Sequence, residues 1–161
     1  MKFLSAPWRW KFLTRTDKKS GCVFCDAQKL TDDESLICYR GKDFFVILNK
    51  FPYNSGHLMI IPYEHIGTTE KINENNSAEL WLLLNKSMNI LKEKFHAEGF
   101  NIGMNLGDVA GAGVRDHVHL HIVPRWKGDS NFMAVTGKTE VLSYDIDEIY
   151  KIIKRGFIAT S

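Results

Sequence analysis

The sequence predicts an α+β domain: a roughly five-stranded, mostly antiparallel sheet carrying one long central helix and a short C-terminal helix. Three observations lead there. Strand-like segments outnumber helical ones, the connections between them are short, and one long stretch repeats its apolar residues at helical spacing. A chain of 161 residues, 44% hydrophobic and 25% charged, suits a single compact domain and is too apolar for intrinsic disorder. Its longest apolar runs, such as Leu58–Pro62, are far too short to cross a bilayer, so no membrane association is expected. The basic, aromatic N-terminus lacks the apolar stretch of a secretory signal, which makes the cytoplasm the expected location.

Residues 1–20 hold six basic groups against the single acid Asp17, whereas the remaining chain carries 15 basic and 18 acidic groups. With Trp8, Trp10 and Phe12 interleaved, this arm either reaches for nucleic acid or lies across the domain with its rings buried. The second reading is preferred, because nucleic-acid domains are usually basic throughout. The domain proper is then 21–161.

Gly21–Lys29 reads as a loop with a C-x-x-C. Ser35–Tyr39 and Phe44–Leu48 read as strands joined by a turn at Arg40-Gly41-Lys42-Asp43. A third strand, His57–Ile61, follows the Pro52–Gly56 loop and stops at Pro62. Asn76 and Glu79 have the spacing of a helix cap and capping-box partner. Leu80, Leu83, Leu84, Met88, Leu91 and Phe95 then mark one helical face, and Gly99 sits where a left-handed terminal residue is wanted. From Phe100 to Leu106 the period is two, Gly107–Asp116 is a glycine-rich loop, and His117–Val123 is a strand ended by Pro124. Asp145 and Glu148 can open the last helix, with Ile146, Ile149, Tyr150 and Ile153 as its stripe.

The chemistry is concentrated in His117-Val-His119-Leu-His121. In a strand these three imidazoles share one face, on the solvent side, while Val118, Leu120 and Ile122 enter the core. A three-histidine zinc centre with an open position is one use for such a face. A phosphate site with an imidazole nucleophile is another. His57 after a glycine, the backbone N–H groups of the Gly107–Gly113 loop, and the cations Arg125 and Lys127 favour the phosphate. Cys22 and Cys25 alone are compatible with a redox pair or with a metal, and Cys38 reads as a small buried residue.

His117-Val-His119-Leu-His121-Ile-Val resembles the signature of the histidine-triad superfamily. The similarity continues through Ile47-Leu48-Asn49, Tyr53-Asn54-Ser55-Gly56-His57, Asn105 and Ala110–Gly113. Ala6-Pro7-Trp8-Arg9 and the run Trp126–Met133 resemble a bacterial branch containing diadenosine tetraphosphate phosphorylases and hydrolases. The resemblance implies that His119 is the nucleophile that takes an adenylyl group. It implies that His57 and His121 hold phosphate oxygens, with help from Asn105 and the loop glycines Gly111 and Gly113. Asn49 would bind a ribose hydroxyl and Ile47 the base. Zinc-bearing members place two cysteines and two histidines at positions matching Cys22, Cys25, His65 and His117, a closed structural Zn2+ site. The implied partners are an adenosine nucleotide or dinucleoside polyphosphate, water or inorganic phosphate as acceptor, and a second copy of the chain in a homodimer. Nucleic acid is not expected. A nucleotide-binding module without turnover, and a nucleic-acid-processing relative, are the competing functions.

Overall fold

The structure, a computed structural model, describes residues 21–129 and 145–159. The expected arm over 1–20 and the end of the Trp126–Met133 motif lie outside the described residues. Five strands, β1 (Ile37–Arg40), β2 (Phe44–Leu48), β3 (Leu58–Pro62), β4 (Gly99–Gly103) and β5 (Leu120–Arg125), form one sheet in the order β1-β2-β3-β5-β4. Every neighbouring pair is antiparallel. The helices are α1 (Val23–Ala27), α2 (Asp32–Ser35), α3 (Ser77–Phe95) and α4 (Ile146–Ala159).

The inner strands explain the layering. β2 (FFVIL) and β3 (LMIIP) are buried at every position, so both faces of the sheet must be covered. One face, with Phe44, Val46, Leu48, Leu58, Ile60, Leu120 and Ile122, packs under Leu83, Leu84, Ile90 and Leu91 of α3 and Ile149, Ile153 and Phe157 of α4. The two helices meet closely at Gly156, where a Cβ would lie 2.8 Å from Ile90 Cγ2. The opposite face, with Phe45, Ile47, Met59 and Ile61, is covered by Phe24 and Ala27 of the short α1.

Several local expectations are corrected. Ser35 belongs to α2, not to the first strand: Thr31 and Glu34 form a capping box, and Leu36 at φ 63° turns the chain into β1. Asn76 makes no side-chain cap, and Glu79 accepts the N–H groups of Lys42 (2.6 Å) and Asp43 (2.8 Å) instead of reaching back to the helix start. That carboxylate docks the β1–β2 turn onto α3, and a side chain at Gly41 would collide with it. His96 (φ 55°), not Gly99, takes the left-handed position after α3, and Gly99 starts β4. The triad strand begins at Leu120 rather than at His117, since Val118 N–H donates to Ile66 O (2.7 Å) outside the ladder.

Candidate active site

Strand register assembles the site. His121 on β5 lies between Met59 of β3 and Gly103 of β4, and Met59 pairs in turn with Ile47 of β2. Ile47, Met59 and His121 therefore form one row across the α1 face of the sheet. They border a cavity of about 490 Å³, a size suited to a small organic ligand. Its apolar wall includes Val23, Phe24 and Ala27 of α1, Leu36 and Ile47, with Ile146 from the start of α4. Its polar groups include Asn49, Asn105, Gly111, Gly113, His119 and His121. Gly111 holds φ 82° behind a 3-10 turn, Asp108–Ala110, and the Arg115–Asp108 ion pair (2.7 Å) ties the loop together.

The first two triad histidines are not on the solvent side, and His121 is only partly exposed. His117 is fully buried and His119 is 6% exposed, because α1 closes over them and Phe24 packs its ring against both. Their tautomers follow from their partners. His119 Nδ1 lies 2.9 Å from the carbonyl of His117, which can only accept, so Nδ1 carries the hydrogen and Nε2 keeps the lone pair. Burial lowers the His119 pKa, holding the ring neutral. His57 Nδ1 accepts from Tyr53 N–H (3.1 Å). Its hydrogen is then on Nε2, which donates to His121 Nδ1 at 2.9 Å. This in turn leaves the His121 hydrogen on Nε2.

His57 stands behind His121 rather than on the cavity wall. It is fully buried, does not border the cavity, and spends its nitrogens on Tyr53, Asn49 and His121. Its Nε2–H bond fixes the orientation of the His121 ring. Burial and the neighbouring His121 and His119 push its pKa down to about 3. Arg125 and Lys127 do not border the cavity either: Arg125 pairs with Asp129 (2.6 Å) and Asn101 (2.9 Å), and Lys127 approaches Glu98. Among the described residues the lysine that borders the cavity is Lys50, next to Asn49, which no sequence motif marks. Phe24, between Cys22 and Cys25, also borders the cavity, with no motif in the sequence to mark it.

Below the far side of α1, the ligand atoms of Cys22, Cys25, His65 and His117 all lie within 4.8 Å of one another. The closest approaches are 3.2 Å between Cys22 Sγ and His117 Nδ1, and 3.3 Å between Cys25 Sγ and His65 Nδ1. A tetrahedral zinc with these donors needs separations of about 3.3–3.8 Å. His117 Nε2–H donates to Pro62 O at 2.8 Å, which turns the Nδ1 lone pair toward the thiols. A carbonyl partner of this kind commonly fixes a metal-binding histidine. The residues fit the ion.

Comparison with known proteins agrees with this geometry. The chain is 40% identical over 119 residues to an AP-4-A phosphorylase of Mycobacterium tuberculosis, an alignment covering 74% of this chain and 61% of that protein's length. It is 32% identical over 95 residues to the asymmetrical bis(5'-nucleosyl)-tetraphosphatase of Schizosaccharomyces pombe, covering 59% and 52% respectively. A zinc-bound histidine triad family protein from Mycobacterium smegmatis superimposes with a TM-score of 0.70 at 25% identity, over 87% of this chain and 95% of that one. The HIT domain family model matches residues 31–128, from the capping box of α2 through the triad strand. With the triad, the glycine loop and the five-stranded sheet all in that span, the chain belongs to the HIT domain family.

Proposed function

We propose that the chain is a nucleotidyl transferase that cleaves dinucleoside polyphosphates through an adenylyl-histidine, with inorganic phosphate as the acceptor. The observation that carries this reading is His119: neutral, with Nδ1–H fixed on the His117 carbonyl and Nε2 left as the nucleophile, on a largely apolar cavity next to a glycine loop. The base lies among Val23, Phe24, Ala27, Leu36 and Ile47, and Asn49 binds a ribose hydroxyl. Asn105 and the N–H groups at Gly111 and Gly113 hold the α-phosphate oxygens.

The lone pair of His119 Nε2 attacks the α-phosphorus. The bond from that phosphorus to the bridging oxygen breaks, and its electrons leave on the departing nucleotide. The Nε2–H of His121 stabilises charge on the leaving oxygen, its orientation set by His57. A phosphate oxygen then attacks the same phosphorus, breaks the P–N bond and returns His119 to its starting form. From diadenosine tetraphosphate the products are ATP and then ADP. The relatives named as a phosphorylase and a tetraphosphatase support this substrate class, and the phosphorylase, at higher identity, supports phosphate as the acceptor.

Cys22, Cys25, His65 and His117 would hold a zinc ion, which when bound supplies a structural cross-link between the α1 segment, the loop after β3 and the triad. The zinc-bound relative supports that assignment. Metal analysis of protein purified without chelator is expected to give one zinc per chain. No zinc, with a melting temperature unmoved by added zinc, would contradict it.

Product analysis tests the reaction. Diadenosine tetraphosphate incubated with the protein should give ADP and ATP only when inorganic phosphate is present. AMP and ATP in its absence would make water the acceptor, and no turnover under either condition would leave a binding module.

A further inference from the structure

Helix α1 stands between the two sites just described. Its five residues follow Cys22 and contain Cys25, so one side carries two of the four metal-site ligands. The other side supplies Val23, Phe24 and Ala27 to the cavity wall. Phe24 joins the two most directly. Its ring meets the ligand ring of His117 edge-on at 5.5 Å and the ring of His119 at 5.0 Å while itself bordering the cavity.

A helix this short has little stability of its own. Cys22 offers it no side-chain cap, and it is held by apolar contacts of Phe24 and Ala27 and, at its end, by Gln28 Nε2 donating to Tyr63 O at 3.1 Å. Cys22, just before the helix, and Cys25, at its middle, are the groups through which a bound metal would fix this wall. With Cys22 and Cys25 joined to His65 and His117, α1 is fixed to the chain that presents His119. Without that link, the wall must be ordered when ligand enters, at the expense of binding free energy.

Building on the nucleotide and zinc assignments above, we infer that metal occupancy and nucleotide binding are thermodynamically coupled through Phe24. Zinc tightens nucleotide binding by ordering the cavity wall, and a bound nucleotide tightens zinc in return by the same factor. Phe24 is a positioning residue in this scheme. It shapes the pocket and steadies the His119 ring, and it takes no part in bond making.

The test uses AMP, which occupies the nucleoside and α-phosphate region without reacting. Its affinity is measured by titration calorimetry on zinc-loaded and chelated protein, at a temperature where chelated protein keeps its circular dichroism. Zinc affinity is measured by competition with a chromogenic chelator, with and without saturating AMP. Chelation should weaken AMP binding by about tenfold or more, with an equal factor in the reciprocal titration. In Phe24→Leu, and in the more drastic Phe24→Ala, zinc should still bind stoichiometrically while the coupling falls to about threefold or less. Equal AMP affinity with and without zinc would overturn the inference, as would undiminished coupling in Phe24→Leu. Failure of zinc-loaded protein to bind AMP, or of the protein to bind zinc, would overturn the parent assignment and the coupling with it.

Discussion

At His119 a nearly buried ring (6% exposed) keeps one nitrogen free of hydrogen, because the His117 carbonyl takes the hydrogen of the other. Replacing it with Ala removes the proposed nucleophile and leaves Cys22, Cys25, His65 and His117 in place. The expected loss is about 10³-fold or more in kcat, with zinc content and circular dichroism unchanged. Asn at this position should fail as badly, since an amide forms no phosphoramidate. Near-normal turnover by either variant in steady-state assays would contradict the role. His57 makes a different prediction. Its pKa in the folded chain is about 3, below the ordinary 6.5, so the unfolded chain binds the proton first as pH falls. Its contribution to stability is complete above 6.5 and is lost as pH drops from there toward 3. Denaturant titrations of wild type and His57→Gln between pH 6.5 and 5 should therefore differ in slope. The wild type should lose stability faster, by up to about 1.4 kcal/mol per pH unit. Parallel curves would show that His57 titrates normally.

Among the elements, the α3 start shows what pattern can and cannot reveal. Asn76 and Glu79 have capping-box spacing, but Glu79 is taken by the N–H groups of Lys42 and Asp43, distant in sequence. Glu79→Ala should loosen the β1–β2 turn and lower stability by about 1–2 kcal/mol, read from the urea midpoint; Glu79→Gln should recover part of it. An unchanged midpoint in the Ala variant would make the contact incidental. The sheet was legible because β2 and β3 are near-continuous apolar runs, and α3 because Leu83, Leu84 and Leu91 repeat at helical spacing. The histidine row was legible as a motif. Its burial was not, since the cover comes from Phe24, nearly a hundred residues away and hidden between two cysteines. The same limit hides the place of His57 behind His121, a contact that exists only once β3 and β5 pair. Arg125 and Lys127 looked like phosphate cations because sequence does not show Asp129 and Glu98 turning toward them.

For the whole molecule, β4 lies at an edge of the sheet and exposes Ile102, while α3 exposes Trp81 and Leu82. Among the described residues no strand pairs with the outer side of β4, an edge of the kind that invites pairing with a second copy, and a homodimer is the proposed assembly. Light scattering at micromolar concentration should give twice the chain mass, and Ile102→Asp should shift it toward the monomer; a wild-type monomer would refute the assembly. No helix among the described residues is long and apolar enough to cross a membrane. The proposed reaction would bring the cavity, the glycine loop and the triad together in one covalent event. Its most direct test is tandem mass spectrometry of reactions with diadenosine tetraphosphate, quenched without acid before inorganic phosphate is added. An adenylyl group on His119, formed by wild type and discharged to ADP when phosphate is supplied, is the predicted result. An adduct on His117 or His121, or steady turnover with no adduct at any histidine, would contradict it.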